Sequence, residues 1–407
     1  MLKNGRRTLR RTPALLTLVC VLLLTACLNV SLPGAFTSAS PPDRAARQAS
    51  LASDPPTQEA TLMAVGDIMV HSPQLPGYLD AATKRYDFSG WFERVSPLFQ
   101  EGDWVIGNLE TPLAGADLKF TGYPKFNAPE QLAVDLREAG FDLVSTANNH
   151  AMDRGFAGVQ RTLRNVRKAG LIPVGTAESP KDAERTAIVD RGGIRMGFLA
   201  YTYGTNGIPI SKDKAYSVNL IDPKRMAGDI AKLRKAGADV VTVSLHFGTE
   251  YERLPNDQQR KIVRSAIGSG ADIILGSHPH VVQPYDVVSV PASESGLKQN
   301  RKGVVIYSLG NFVSNQSGDW KDVGLIFSVH VVKKRQPDGS SLTTWDRIGL
   351  TPTAVHIENS GSKRHYTVLP IRQTLDERKD ASLTEADYAD LKAKLAGIEQ
   401  HLHTYEQ

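Results

Sequence analysis

The feature that most constrains this chain is an alternation of short apolar runs with amphipathic segments, which begins at Ala60. The runs rich in β-branched residues have the length of single strands and are Thr61–Val65, Trp104–Ile106, Asp142–Ser145, Met196–Tyr201, Val240–Leu245, Ile273–Leu275 and Val304–Ser308. Segments with apolar residues at three- and four-residue spacing lie between several of them and predict the helices Pro129–Ala139, Phe156–Ala169, Pro223–Ala236 and Asp257–Ile267. Strands that alternate with helices predict an α/β fold.

The pattern changes after Asn311. Residues 323–332, 345–357 and 365–370 predict strands of a meander that completes one edge of the sheet. The segment Thr384–Tyr405 places its apolar residues on one helical face, which predicts a surface helix docked on the core. We therefore predict a folded domain over residues 60–376 and a C-terminal helix within residues 377–407.

The N-terminal segment has the features of an export signal. A basic start precedes an apolar stretch from Pro13 to Ala26, which is too short to span a bilayer. It ends in Leu24-Thr25-Ala26-Cys27, which resembles a bacterial lipobox and predicts cleavage before Cys27 and lipidation of its thiol. The alternative is an uncleaved anchor helix. Residues 1–27 are thus predicted as a lipoprotein signal peptide that uses the general rather than the twin-arginine route.

Residues 28–59 are rich in Ser, Ala and Pro and predict a flexible tether. With the lipid on Cys27, the tether predicts an exported protein anchored to the outer face of the bacterial cell membrane. The cysteines are Cys20 and Cys27, so the mature domain offers no thiolate ligand and no cysteine nucleophile. The net charge of +5 includes basic residues of the signal segment and gives no support to nucleic-acid binding.

Polar side chains follow the predicted strands at the point where each strand ends. The segments are Gly66-Asp67, Gly107-Asn108-Leu109-Glu110, Asn148-Asn149-His150, His246, Gly276-Ser277-His278-Pro279-His280 and Gly310-Asn311. In open α/β sheets, ligands bind beyond the carboxyl ends of the strands. We therefore expect these side chains to converge on one edge of the sheet.

These residue types together indicate a metal site. Imidazole nitrogen and carboxylate or amide oxygen are ligands for Mn, Fe and Zn. Two divalent ions held a few ångströms apart can activate water for attack on a phosphoester. Each motif alone is also compatible with a turn, a cap or a buried histidine. The predicted ligands are Asp67, Glu110, Asn149, His246, His278 and His280.

The segments also resemble a known family. Gly-Asp-Ile-Met (66–69), Asn-Asn-His-Ala-Met-Asp-Arg-Gly (148–155) and Gly-Ser-His-Pro-His (276–280) are similar, with the other strand-end motifs, to the CapA family of bacterial capsule synthesis proteins. That family is tied to poly-γ-glutamate capsules and is similar to calcineurin-like metallophosphoesterases. The resemblance runs from about Thr61 to Gln316. It implies a layered α/β/β/α sandwich with mixed sheets and a dinuclear metal site.

The resemblance also implies roles for single residues. Asp67 matches the first-metal aspartate and Glu110 the bridging carboxylate, while His150 matches the catalytic histidine. The usual Asp-x-His opening is absent, because Met69 stands where the histidine is expected. His71 either replaces that ligand or points away from the site.

The remaining site predictions concern proton transfer and substrate contacts. His150 is the predicted catalytic acid, and Asp153 either orients it or caps a helix. The predicted substrate-binding residues are Asn108, Arg154, Tyr251, Gln283 and Asn311. Arg154 is equally compatible with a surface arginine that has no part in binding.

Three functions remain open at this point. The first is metal-dependent hydrolysis of a phosphoester-like bond in an anionic substrate. The second is non-hydrolytic binding or transfer of an anionic polymer such as poly-γ-glutamate, together with capsule-synthesis membrane subunits. The third is a scaffold that has lost its metal site, and the nearly complete ligand set argues against it.

Overall fold

The computed structural model describes residues 57–295 and 300–404. The predicted signal peptide, Cys27 and the predicted tether as far as residue 56 lie outside the described residues. The first strand begins at Thr57, so the predicted domain start at residue 60 lies inside that strand. Among the described residues, no helix combines the length and apolar character needed to cross a membrane.

The elements alternate as the sequence predicts. The strands are β1 (Thr57–Ile68), β2 (Trp104–Leu109), β3 (Leu143–Ser145), β4 (Ile172–Val174), β5 (Ala187–Arg191), β6 (Ile194–Thr202), β7 (Val240–His246), β8 (Ile273–Ser277), β9 (Val282–Val290), β10 (Arg301–Leu309), β11 (Asn311–Val313), β12 (Val323–Arg335), β13 (Ser341–Ser360) and β14 (Lys363–Pro370). The α-helices are α1 (Leu75–Tyr78), α2 (Ser96–Phe99), α3 (Gln131–Ala139), α4 (Gly155–Lys168), α5 (Pro180–Ala183), α6 (Pro223–Lys235), α7 (Asp257–Gly268), α8 (Ala292–Ser295), α9 (Ile371–Glu377) and α10 (Glu385–Thr404). Single 3-10 turns occupy Ser72–Gln74, Ser89–Trp91, Ala116–Leu118 and Lys212–Lys214.

The strands form two mixed sheets. The first has the order β14-β13-β12-β1-β2-β3-β4, and β11 pairs with β1 beside this path. Strands β1 to β4 are parallel, whereas β12, β13 and β14 form the antiparallel meander predicted for one edge. The second sheet has the order β5-β6-β7-β8-β10-β9, with β6, β7, β8 and β10 parallel.

The two sheets pack face to face. Along β1, Leu62 and Ala64 belong to the core between the sheets, whereas Met63 and Val65 belong to a second core under α3. This alternation follows from the two-residue period of a strand. A third core joins the outer face of the second sheet to α6 and α7. The predicted layered α/β/β/α sandwich with mixed sheets is therefore confirmed.

Each predicted strand and helix overlaps an observed element. Three of the predicted helices are followed by glycines of positive φ, as a left-handed C-cap requires, namely Gly140, Gly170 and Gly237. The C-terminal helix α10 docks on the core through Ile398 and Leu402, as predicted. The predicted boundary after residue 376 falls inside α9.

Candidate metal centre

The predicted metal ligands converge where the two sheets share an edge. Asp67, Glu110 and Asn149 come from the carboxyl ends of strands in the first sheet, or from the residues directly after them. His246, His278 and His280 come from the corresponding ends in the second sheet. All of them are at most 4% exposed, so the sequence-derived grouping corresponds to a buried polar cluster.

The local backbone explains how these side chains are aimed. The pairing register of β1 shifts at Asp67 against both β2 and β11, and such a bulge redirects a side chain. A Cβ at Gly66 would overlap the carbonyl oxygen of Gly310, so glycine allows the β10–β11 connection to approach β1. His278 and His280 both have positive φ, a conformation that non-glycine residues adopt mainly at constrained functional positions.

Two groups of potential metal ligands share one carboxylate. The first group is Asp67, Glu110 and His246, and the second is Glu110, His278 and His280. Within each group the donor atoms lie within 4.8 Å of one another. A carboxylate common to two groups is the arrangement that a dinuclear site needs.

The electrostatics of Glu110 favour a bound cation. Its Oε1 is buried and has no hydrogen-bond partner among the described residues. Burial, together with the nearby Asp67 carboxylate, raises the pKa of Glu110 well above its ordinary value. Two adjacent buried carboxylates are therefore costly to ionise unless a positive charge lies between or beside them. The residues present fit divalent metal ions.

The histidines of the cluster are held in the form that binds metals. Burial, and then proximity to His278, lowers the pKa of His246 well below its usual range. Burial, and then proximity to His280, lowers the pKa of His278 to about 4. Both imidazoles are thus neutral at physiological pH, which is the ligand form. The Nδ1 atom of His278 is buried and has no partner among the described residues.

Asn149 lies at the same point of convergence. Its Oδ1 is 3.0 Å from Nε2 of His246, and that nitrogen is 3.5 Å from Oε1 of Glu110. The other ring nitrogen of His246 is 3.0 Å from the Ser277 hydroxyl, which fixes the ring orientation. The amide oxygen of Asn149 can therefore complete the donor set around Glu110.

His150 and Asp153 form a buried pair beside this cluster. Nδ1 of His150 is 2.7 Å from Oδ2 of Asp153, and the same oxygen accepts the Phe126 amide hydrogen at 2.7 Å. Asp153 thus orients the imidazole, which was one of its two predicted roles. The Phe126 ring contacts the His150 ring edge-on at 4.6 Å, which also restricts the imidazole.

Three residues predicted to bind substrate make hydrogen bonds within the protein. The amide nitrogen of Asn108 donates to Asp67 at 2.8 Å and to Glu110 at 3.2 Å, so it positions the candidate ligands. Asn311 is fully buried, with its amide oxygen 3.1 Å from His280 and its amide nitrogen bonded to the Lys321 carbonyl. Both amides are used within the protein, and a substrate contact stays a prediction for both residues.

Gln283 is the third of these residues. It is fully buried, and its amide nitrogen donates to the carbonyls of Glu252 and Leu254 at 2.8 Å and 3.2 Å. Its amide oxygen accepts from Gln259 at 2.8 Å. Gln283 therefore braces the loop after β7, and its predicted place in a substrate pocket stays a prediction.

Arg154 and Tyr251 lie at the edge of the site. The Arg154 guanidinium donates to the Thr121 hydroxyl and to the carbonyls of Lys125 and Asp153, so it braces a neighbouring loop. Among the described residues it has no carboxylate partner. Tyr251 has positive φ and is 48% exposed, with its ring 6.1 Å from that of His280. A substrate contact remains a prediction for both residues.

The group formed by Asp67, Glu110 and His246 gains no ligand from Met69, as the sequence indicates. Met69 is buried, and its amide hydrogen bonds to the Val313 carbonyl. His71 belongs to neither group of potential metal ligands found among the described residues.

Tyr203 is a neighbour of the site that the sequence analysis missed. Its ring lies 4.7 Å from that of His278 and is stacked 6.3 Å from that of His246, while remaining 48% exposed. It follows directly after β6. Extending the search for polar residues at strand ends to the strand Met196–Tyr201 would have identified it.

Comparisons with known proteins identify a family for this chain. Residues 61–316 match the family described as "Bacterial capsule synthesis protein PGA_cap". The capsule biosynthesis protein CapA of Bacillus anthracis is 32% identical over 64% of this chain and 61% of its own length. The PGA biosynthesis protein CapA of Bacillus subtilis is 32% identical over 72% of this chain and 70% of its own length. The match thus spans less than two thirds of the Bacillus anthracis relative.

Solved structures show a weaker likeness. The Haemophilus influenzae NAD nucleotidase NadN aligns at a TM-score of 0.44 and 12% identity, over 84% of this chain and 60% of that one. That TM-score is too low to support a conclusion about activity. The family match covers most of the described domain and includes every strand-end motif of the candidate metal centre. The chain belongs to the bacterial capsule synthesis protein family PGA_cap.

Proposed function

We propose that this protein is a metal-dependent hydrolase of phosphoester-type bonds that acts in capsule synthesis. The observation that carries the proposal is Glu110, a buried carboxylate shared by two groups of potential metal ligands. Its unpartnered oxygen and its raised pKa both indicate a position built for cations. The family membership supports the role in capsule synthesis.

The proposed cofactor is a pair of divalent ions of the Mn, Fe or Zn class. Asp67, Glu110 and His246 would hold one ion, and Glu110, His278 and His280 the other, with Asn149 as a further oxygen donor. When bound, the ions would supply Lewis-acid activation of water and neutralise anionic oxygens of the substrate. The donor set of imidazole, carboxylate and amide groups suits these metals.

The side chains of the protein account for the proton transfer. Asp153 accepts the Nδ1 hydrogen of His150, which leaves Nε2 as the nitrogen that delivers a proton to the leaving-group oxygen. The same hydrogen bond keeps the imidazole in one orientation during the transfer. Tyr251 and Arg154, at the edge of the site, are the proposed contacts for the rest of an anionic substrate.

The test is a panel of phosphomonoesters, phosphodiesters and poly-γ-glutamate, assayed with wild type and His150→Ala. We expect one phosphoester class to be hydrolysed, and His150→Ala to lower the rate by about 10²- to 10⁴-fold with the metal content unchanged. His330→Ala, on the distant strand β12, is the matched control and should retain full activity. Full turnover by His150→Ala would rule out the assigned acid.

The second candidate function is binding or transfer of poly-γ-glutamate without hydrolysis. The name of the Bacillus subtilis relative, a PGA biosynthesis protein, favours it. Carboxylates and phosphates are both anionic oxygen donors, so the same centre could accept either. Metal-dependent binding of the polymer, with no turnover of any phosphoester, would support this function over the first.

We further propose that the protein is exported and anchored by a lipid on Cys27 to the outer face of the cell membrane, near membrane subunits of capsule synthesis. The support is the sequence Leu24-Thr25-Ala26-Cys27 after a basic and apolar segment. Cys27→Ser should release the protein from the membrane fraction and abolish labelling by a fatty-acid analogue. Unchanged membrane association and labelling would contradict the anchor.

A further inference from the structure

His71 has a fixed position next to the candidate metal centre. It follows β1 by three residues, and its backbone amide donates to Oε1 of Gln74 at 2.6 Å. The Gln74 side chain is fully buried and also donates to the Met69 carbonyl at 3.3 Å. These hydrogen bonds fix the turn after β1, so the backbone that carries the imidazole has a defined conformation.

The hydrogen bond to Nδ1 determines which ring nitrogen of His71 carries hydrogen. Nδ1 lies 3.3 Å from the backbone nitrogen of Asn315, and an amide N–H can only donate. Nδ1 is therefore the acceptor. Burial, and then proximity to His280, lowers the pKa of His71 to about 4, so the ring is neutral at physiological pH. A neutral imidazole with an acceptor Nδ1 carries its hydrogen on Nε2.

The His71 ring lies near both the candidate metal ligand His280 and the candidate acid His150. Phe126 contacts His71 edge-on at 5.1 Å and His150 edge-on at 4.6 Å, so one phenyl ring positions both imidazoles. His280 and His150 are each close enough to lower the pKa of His71. Among the described residues, the polar groups that bond the His71 ring are the Asn315 amide, at Nδ1, and the Gln74 side chain. No histidine or carboxylate of the described site takes the Nε2 hydrogen, so an anion bound beside His150 and His280 can compete for it.

We propose that His71 donates a hydrogen bond from Nε2 to an anionic oxygen of the substrate and is not the metal ligand missing at Met69. A ring nitrogen that carries hydrogen has no lone pair for a metal, which excludes the ligand role in this tautomer. His71 is therefore a positioning residue for the anion. This inference rests on the proposed binding of an anionic substrate at the metal centre.

Two substitutions separate the functions of the two ring nitrogens. In His71→Asn, the amide oxygen takes the place of Nδ1 and can still accept the Asn315 hydrogen, but the donor at Nε2 is lost. In His71→Gln, the longer amide restores a donor near the position of Nε2. The measurements are metal content by mass spectrometry and inorganic phosphate affinity by calorimetry, with thermal unfolding to verify the fold.

We expect His71→Asn to retain the metal content of wild type and to bind phosphate roughly 10- to 100-fold more weakly, as for loss of one hydrogen bond to an anion. His71→Gln should recover part of that affinity. His330→Asn, at a histidine of β12 outside the site, should match wild type in both measurements.

Loss of a metal ion from folded His71→Asn would overturn the proposal, because it would identify His71 as a ligand. Unchanged phosphate affinity in His71→Asn would also overturn it, as would metal-loaded wild type that binds no phosphate. If His71→Asn does not fold, loss of metal or of all phosphate affinity in His71→Gln is the overturning result. A wild type that binds phosphate but hydrolyses nothing refutes only the hydrolase.

Discussion

At the scale of single residues, the site combines buried carboxylates with histidines that are kept neutral. Glu110 resists ionisation because it is buried beside Asp67, and His278 resists protonation because it is buried near His280. Both effects are unfavourable in a protein without metal. Both are reversed when cations share the site, since cations stabilise carboxylates and bind neutral imidazole.

The stability of the metal-free protein should depend on pH through His278. The unfolded chain binds a proton at this residue below about pH 6.5, whereas the folded chain does so only near pH 4. The His278 contribution to folding stability is therefore complete above pH 6.5 and decreases as the pH falls toward 4. Between pH 7.5 and pH 5 the expected loss is roughly 2 kcal/mol.

The comparison that isolates this effect uses His278→Asn. Glu110 acts in the opposite direction, because its raised pKa makes the folded state take up a proton first as the pH falls. That contribution is common to wild type and variant. Urea unfolding in chelator should show wild type losing about 2 kcal/mol more than His278→Asn over this pH range. Parallel pH profiles would contradict the burial of a neutral His278.

The sequence predicted where the candidate metal ligands lie better than it predicted the partners of the buried amides, for a physical reason. The ends of parallel strands must meet at one edge, so the position of Asp67 or His246 follows from the strand pattern alone. Whether Asn108, Asn311 or Gln283 faces substrate depends on which protein groups its amide meets. Those partners are distant in sequence, as with Gln283 and Glu252, and no local pattern identifies them.

At the scale of elements, the site depends on the crossing of the chain from one sheet to the other. Strand β10 belongs to the second sheet, and β11, one residue later, pairs with β1 of the first sheet. The Asp67 amide donates to the Gly310 carbonyl at 2.9 Å, directly at this crossing. The crossing therefore brings the ligands of both sheets together.

Gly66→Ala should disrupt this crossing. The added methyl group would overlap backbone at Gly310, which cannot move aside as a flexible side chain would. We expect a loss of folding stability on the order of 3 kcal/mol, and weaker metal binding because Asp67 follows directly. Urea unfolding and metal titration measure the two effects.

Gly228→Ala is the matched control for this substitution. A Cβ at Gly228, within α6, would meet nothing within 4 Å, and alanine favours a helix over glycine by about 1 kcal/mol. Its stability should equal or exceed that of wild type, with unchanged metal binding. Equal folding stability and equal metal binding in the two variants would show that the close approach of Gly66 to Gly310 is unimportant.

Two strands that the sequence patterns missed, β4 and β9, have a common cause. Strand β9 contains Gln283, Pro284 and Asp286, and β4 is three residues long with Pro173 at its centre. Neither segment has the apolar alternation that identifies a strand. Both lie at the outer edge of a sheet, where proline and polar residues are tolerated because one side needs no partner strand.

At the scale of the whole molecule, the fold positions half of the donor set on each sheet. The core between the sheets is built from apolar side chains such as Leu62, Ala64 and Ile306, and the candidate ligands lie at the shared edge. Ions bound to both halves would link the sheets directly. We therefore expect Glu110 to belong to both halves of one dinuclear centre.

The most direct test is the number of metal ions per chain in purified wild type and in Glu110→Gln, measured by plasma mass spectrometry. We expect about two divalent ions in wild type, since two ligand groups share Glu110. Glu110→Gln should bind at most one ion while remaining folded, because glutamine removes the shared charge but retains the shape. A wild type without metal, or a Glu110→Gln variant that keeps both ions, would contradict a dinuclear centre that shares Glu110.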